Sequence, residues 1–354
     1  MNSHFPCGGR PYNEGVTRLI LVVLVAVLAS WPAYARAQQV VPVANTPVIR
    51  LQMRSGTLTI HTWDRQQVQI ESSVPVRWRH FDPGAVANAL PADVTIPSTT
   101  IVTPNGPVLL PAESFAIDSV LNEPHDGVVI FGGDQDADVT LTIPQSTALV
   151  WAMIGRGRIA VDGYRNGTLV AMLHNGPMQL QNSGGDVYAQ VARGQIFVNN
   201  STFNRIRVRT AAGNIVFEDT NVRQIEASSV NGSIAYDNGT FVPGIARFES
   251  QKGNVAIGVA GGGARIDAHS GGGRIFSGFS GGAAVGGSPT DTQAIVGSGG
   301  PVVTANSDSG GVFLYNGSLR TQRRLQGAWE PIARMLRRQP PRRSQQKLPH
   351  RSHV

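Results

Sequence analysis

One glycine returns at an almost fixed interval through most of this chain. Gly157, Gly176, Gly194, Gly213, Gly232, Gly253, Gly273 and Gly310 are spaced 19, 18, 19, 19, 21, 20 and 37 residues apart, the last gap being close to two periods. Two residues after each stands Ile159, Met178, Ile196, Ile215, Ile234, Val255, Ile275 or Val312. Seven residues before stands Val150, Leu169, Val187, Ile206, Ile225, Ala246, Ile266 or Val303. A period of about 20 residues with apolar columns in phase is the mark of a solenoid. A unit this short cannot bury its own apolar face, and stacking on its neighbours solves that.

Each repeat holds two short runs. The first alternates, as in Ile206-Arg207-Val208-Arg209-Thr210 and Ile266-Asp267-Ala268-His269, so one side is buried and the other wet. The second follows the glycine and is apolar nearly throughout, as in Asn214-Ile215-Val216-Phe217, which fits a strand with little water on its outer side. Turn-forming Gly, Asn, Asp and Ser lie between them. The predicted fold is all-β: a parallel β-solenoid of about 19-residue two-strand coils, with an irregular N-terminal insertion or cap and a basic, partly disordered C-terminal tail.

The spacing also predicts which side chains stack. Six residues before their glycines, Arg207, Glu226, Arg247 and Asp267 form an outward ladder of alternating sign. Thr210, Ser229, Ser250, Ser270 and Ser307 stand three residues before theirs, a hydroxyl column that reads as turn chemistry. Asp162, Gln181, Asn199, Glu218 and Asp237 stand five residues after theirs, which sets Glu218 beside Asp237. Stacked carboxylates can bind a cation or serve as acid and base, although Asp162-Gly163 and Asp237-Asn238-Gly239 are also ordinary turn sequences.

The same offsets occur once near the start, around Gly56 with Ile49, Leu51, Leu58 and Ile60. The chain therefore divides into a signal peptide (1–37), N-terminal strands or a first coil (38–73), an irregular insertion or cap (74–137) with a short helix expected around 83–90, and the repeat domain (138–317). A capping helix (318–338) and a disordered basic tail (339–354) follow. The Gly/Ser-rich stretch 278–300 is expected to hold a degenerate coil or a loop.

Residues 1–37 carry Arg10 and Arg18, an unbroken apolar run of 11 residues (19–29) and Ala-x-Ala sequences ending at Ala35 and Ala37. This is the pattern of an export signal, and the run is well short of the ~20 residues that span a bilayer. Cys7 precedes it, so the mature chain has no cysteine and no disulfide or thiolate site. With no second apolar segment, the mature protein is expected to be periplasmic, envelope-associated or secreted, without a transmembrane span.

The formal net charge of +7 is unevenly placed. Residues 319–354 hold ten Arg or Lys against Glu330 alone, a net +9, whereas 38–318 carry −4. The tail arginines Arg323, Arg324, Arg334, Arg337, Arg338, Arg342 and Arg343 are the candidate residues for binding an anionic surface. Trp329, Ile332, Met335 and Leu336 lie among them at helical spacing, and Pro331 suits a first helical turn. Nucleic acid is not an expected partner, because the chain looks exported and carries no recognised module.

Little else suggests chemistry. Asp134-x-Asp136-x-Asp138 resembles the opening of a calcium loop but lacks the following glycine and the closing carboxylate. The histidines show no metal spacing, and there is no nucleophile elbow or phosphate loop. No catalytic residue, cofactor or metal is assigned.

Val139-Thr140-Leu141-Thr142-Ile143-Pro144, followed by serial x-Gly-x-Ile/Val-x-apolar units, resembles the bacterial putative-adhesin β-strand-repeat family. The resemblance covers roughly 48–72 and 138–277, extending towards 317. It implies an exported or envelope-associated β-solenoid and carries no catalytic residues to transfer. The functional expectation is a noncatalytic adhesin-like module that binds an envelope glycan, anionic lipid or surface protein, or serves as a structural part of the envelope. The alternative is a carbohydrate-active β-helix enzyme using Glu218 and Asp237.

Overall fold

A computed structural model describes residues 37–81, 126–133, 135–279 and 283–319, together with four short strands between 93 and 116. All but the last residue of the expected signal peptide (1–37), the helix expected around 83–90, and the expected capping helix and basic tail from 320 onward lie outside the described residues. The described residues are all-β and contain no α-helix. Most of their strands join one large sheet of 23 strands, parallel through its middle and antiparallel at its ends.

The parallel part follows the glycine period. Strand Leu149–Asp162 pairs in register with Thr168–Asn175 and Met178–Gln181. The succession continues through Gly184–Arg193 with Ile196–Asn199, Thr202–Ala212 with Ile215–Glu218, Asn221–Asn231 with Ile234–Phe241, and Ile245–Lys252 with Val255–Val259. Alternation buries the same offsets in every repeat. Ile206, Val208, Ile215 and Phe217 stack on Ile225, Ala227, Ile234 and Tyr236, all within one continuous core. Fully burying each such large side chain contributes about 1.5–3 kcal/mol.

The recurring glycine sits where the first strand of a repeat turns into the second. Gly56, Gly157, Gly176, Gly194 and Gly213 have φ between +123° and +153°, a region closed to L side chains. A Cβ on Gly176 would collide with the carbonyl oxygen of Gly157, and one on Gly213 with that of Gly194. The contact recurs from Gly253 to Gly232, from Gly310 to Gly253 and from Gly273 to Gly310, where no positive φ is involved. Close backbone approach is thus the common requirement. The hydroxyl column completes this corner. Ser229, Ser250, Ser307 and Ser270 donate to the carbonyls of Gly213, Gly232, Gly253 and Gly310 at 3.0, 2.8, 2.7 and 2.8 Å.

A second corner follows the second strand. Asn182, Asn200, Asp219 and Asn238 adopt φ of 50°, 47°, 50° and 55°, the left-handed conformation that Asn and Asp tolerate best. Their side chains run from repeat to repeat. Asn182 donates to Asp162 at 2.8 Å, Asn200 to Asn182 at 2.6 Å and Asn238 to Asp219 at 2.5 Å.

Sequence order and spatial order part at both ends. Strand Val48–Trp63 lies between Leu149–Asp162 on one side and Gly127–Phe131 with Asp136–Pro144 on the other. Residues 127–131 and 136–137, which the broken period assigns to the insertion, therefore pair with the stack. At the far end, Val302–Ser307 and Val312–Asn316 lie between the 245–259 repeat and the 264–277 repeat. The double-length gap before Gly310 reflects this: Gly310 stacks between Gly253 and Gly273. Within 278–300, strands Ala283–Gly287 and Asp291–Val296 form an antiparallel hairpin on the outermost repeat.

The corner makes a direct prediction. Gly176→Ala adds a Cβ where φ is +134° and the Gly157 carbonyl blocks it, so it should destabilise by about 3 kcal/mol or more. Gly261→Ala, with nothing within 4 Å of the added atom, should change stability by less than about 1 kcal/mol. Urea unfolding of the two variants checks both.

Candidate functional site

Three outward columns cover the first-strand face from the fourth repeat on. They begin at Arg205, Arg207 and Arg209 and pass through Gln224, Glu226 and Ser228 to Arg247 and Glu249. Side chains here are spaced about 4.8 Å along the stack and about 7 Å along each strand. Arg207 pairs with Glu226 at 2.9 Å, and Arg247 with Glu249 at 3.6 Å within its own strand. Arg205 donates to the Tyr188 hydroxyl at 3.0 Å and to Gln224 at 3.1 Å. The hydrogen bond to Tyr188 holds the guanidinium above its ordinary pKa.

The expected ladder of alternating sign is partly interrupted. Arg207, Glu226 and Arg247 are successive neighbours, but Thr304 stands between Arg247 and Asp267 because the 302–316 repeat is inserted there. The face ends on His269, paired with Asp291 at 2.6 Å. The histidine hydrogen bond, followed by that of Thr290, lowers the Asp291 pKa. Exposed pairs of this kind are weak. Ile245, 59% exposed, and Val302, 48%, add apolar patches at its margin.

The polar column five residues after the glycines stacks as its spacing predicts: Asp162, Gln181, Asn199, Glu218 and Asp237 are successive partners. The final pair is not open to solvent. Glu218 is buried and Asp237 is wholly inaccessible. Asp237 accepts from the Tyr315 hydroxyl at 2.9 Å, the Ser318 hydroxyl at 2.9 Å and the Leu319 amide at 2.7 Å. The carboxylate thereby ties the segment leaving the last inserted repeat to the 234–241 strand. Burial first, and the neighbouring Asp237 second, push the Tyr315 hydroxyl well above its usual pKa. No sequence motif announces this latch, since its donors lie 78 to 82 residues away.

The other acidic cluster is also structural. Asp136 accepts from the Ser55 hydroxyl, and Asp138 accepts from the Thr57 amide at 3.2 Å, joining 136–144 to 48–63. Among the described residues, no group of three or more His, Cys, Asp or Glu could hold a metal ion. The seven tail arginines lie outside the described residues. Among the described residues, no helix is long and apolar enough to cross a membrane.

Asp237→Ala leaves a buried hydroxyl and a buried amide without their acceptor, so it should cost about 2–4 kcal/mol, measurable by urea unfolding. Tyr164, Tyr236 and Tyr315 all have pKa values raised by burial. A raised folded-state pKa gives stability that is complete below the unfolded value, near 10, and is lost as pH rises towards the folded value. Stability should therefore fall above about pH 10, and absorbance near 295 nm should show these three tyrosines ionising only as the chain unfolds.

No protein-family model and no curated protein matches the chain. A crystal structure of a putative cell adhesion protein from Clostridium sporogenes aligns over 79% of this chain and 99% of its own, at 9% identity and a TM-score of 0.25. That likeness is too low to assign either a fold or a role.

Proposed function

We propose that this chain is a noncatalytic, exported β-solenoid that recognises a cell-envelope or extracellular component through its outward first-strand face. The basic tail adds electrostatic attachment to anionic surfaces. The observation that carries this reading is the regular grid of exposed and half-exposed Arg, Glu, Gln and Ser side chains on consecutive strands. An extended flat face with fixed polar spacing suits a polymer or a protein surface better than a small molecule. The apolar leader at 19–29 supports export, and a periplasmic, surface or secreted location follows from it.

The burial of Asp237 and its three donors speaks against the alternative of a glycan-cleaving site at Glu218 and Asp237. A catalytic acid or base must reach its substrate, and this carboxylate is spent on holding the chain.

A salt-titrated binding assay tests the proposal, using phosphatidylglycerol vesicles and a panel of acidic and neutral polysaccharides. Replacing the seven tail arginines with Gln should abolish vesicle binding, which in the unaltered chain fades above about 0.15 M salt. Arg205→Ala combined with Arg247→Ala and Glu249→Ala should weaken polysaccharide binding about tenfold or more while sparing vesicle binding. Binding unaffected by either set of changes would contradict the proposal. So would release of reducing ends from a polysaccharide by the unaltered chain.

A further inference from the structure

We propose that the last repeats of the outward first-strand face bind a second copy of this chain, sheet against sheet, about a two-fold axis running along strand Val302–Ser307. The inference rests on the reading of this face as a recognition surface and names one partner for part of it. The block consists of three neighbouring strands whose outward residues stand in rows. Ile245, Val302 and Arg265 form the first row, Arg247, Thr304 and Asp267 the second, and Glu249, Asn306 and His269 the third.

The rows are self-complementary. A two-fold axis along the middle strand keeps the strand direction and reverses the order of the strands. Arg247 therefore faces Asp267 of the second copy, and Asp267 faces Arg247 of the second copy. Glu249 comes opposite His269 in the same way, while Val302, Thr304 and Asn306 each meet their own counterpart. One strand further out, Glu226 comes opposite Gln293 and Ser228 opposite Asp291. No two like charges stand directly opposite each other. A two-fold contact presents the same patch from both sides and has to match itself in this manner, because opposed like charges disfavour association.

The charges at the centre of the block are not satisfied within the chain. Asp267 has no ion pair or hydrogen bond among the described residues, and one of its carboxylate oxygens is buried without a donor. Arg247 makes only the long 3.6 Å contact with Glu249 of its own strand. Apolar exposure gathers on the same strands. Ile245, Val302 and Ile295 are 59%, 48% and 39% exposed, and Ile295 extends the first row because it is in register with Arg265. Five strands of five residues cover about 400 Å², half the ~800 Å² per partner of a standard interface. The dimer is therefore weak in free solution and gains where copies are held at high local concentration.

Sedimentation equilibrium on the full chain tests the inference, in about 0.15 M salt and with no polysaccharide or lipid present. The unaltered chain should pass from monomer to dimer as its concentration is raised to about 0.5 mM. Arg247→Asp alone and Asp267→Arg alone should each weaken the dimer at least about tenfold, because the two-fold axis repeats each change. Carrying both changes in one chain should restore the dimer. Mixing the two single variants should give a heterodimer, since each supplies the charge that the other lacks. Arg247 is exposed and Asp267 half-exposed, so both variants should fold, and an unchanged urea midpoint confirms it. A chain that stays monomeric to about 0.5 mM would overturn the inference. So would a dimer indifferent to either single change, or a charge exchange that restores nothing. Polysaccharide binding is read separately, so a monomeric chain that still binds polysaccharide overturns the dimer and leaves the recognition reading standing.

Discussion

The structure depends on one close contact, repeated from strand to strand, in which the backbone of each repeat passes over the corner carbonyl of the one before it. Gly157, Gly176, Gly194 and Gly213 each sit where a Cβ would overlap the preceding glycine's carbonyl oxygen. Any side chain there would force the repeats apart at the corner and break the ladder on both flanking strands, so a single atom's clash would be felt along the whole stack. The buried hydroxyls donate to those same carbonyls from Gly194 onward. They satisfy an acceptor that the turn takes out of the regular ladder. Glycine and hydroxyl thus solve two parts of the same problem: how to turn a strand sharply without leaving a gap or an orphaned polar group.

The same corner explains why the ends can be built from distant parts of the chain. Gly56 and Gly310 carry the same offsets as the sequential repeats, so their strands fit the stack wherever an edge is open. Val48–Trp63 seats against Leu149–Asp162, and Val302–Ser307 against Ile245–Lys252. Antiparallel strands then finish both ends, with Gln67–Ser72 carrying Ala37–Pro42, and Arg77–Phe81, at one end and 283–296 at the other. Exposed strand edges invite pairing with other chains, and here the chain's own segments occupy them. The Asp237 latch then fastens the segment that leaves the inserted repeat.

Much of this was legible in the sequence because the period sets which residues are neighbours. The inward columns, the hydroxyl column and the stacking of Glu218 on Asp237 follow from counting between glycines. The apolar outer side of Val216, Ala235 and Ala256 also followed, from the lack of alternation in the second run. The order of repeats at the ends was not legible, because identical offsets make any repeat a suitable neighbour for any other. The gap before Gly310 is close to two periods in length, yet that repeat folds back between Gly253 and Gly273. The left-handed column at Asn182, Asn200, Asp219 and Asn238 lies one residue beyond the polar column that the period picks out, and its only signal in the sequence is Asn or Asp in a turn after an apolar run. The role of Asp237 could not be counted out, since its donors arrive from a segment whose position depends on the fold-back.

Cross-linking measures that fold-back most directly. In the chain carrying Cys7→Ser, cysteine pairs placed at 249 and 306, at 306 and 269, and at 249 and 269 sample neighbouring and non-neighbouring strands. Glu249 is in register with Asn306, and Asn306 with His269, so those pairs stand about 4.8 Å apart, within the span a disulfide bridges. Glu249 and His269 are two strands apart, about 9.6 Å. The account predicts that the 249–306 and 269–306 pairs oxidise readily and that the 249–269 pair does not. Ready oxidation of 249–269 without 249–306 would mean that the repeats stack in sequence order, and would contradict it.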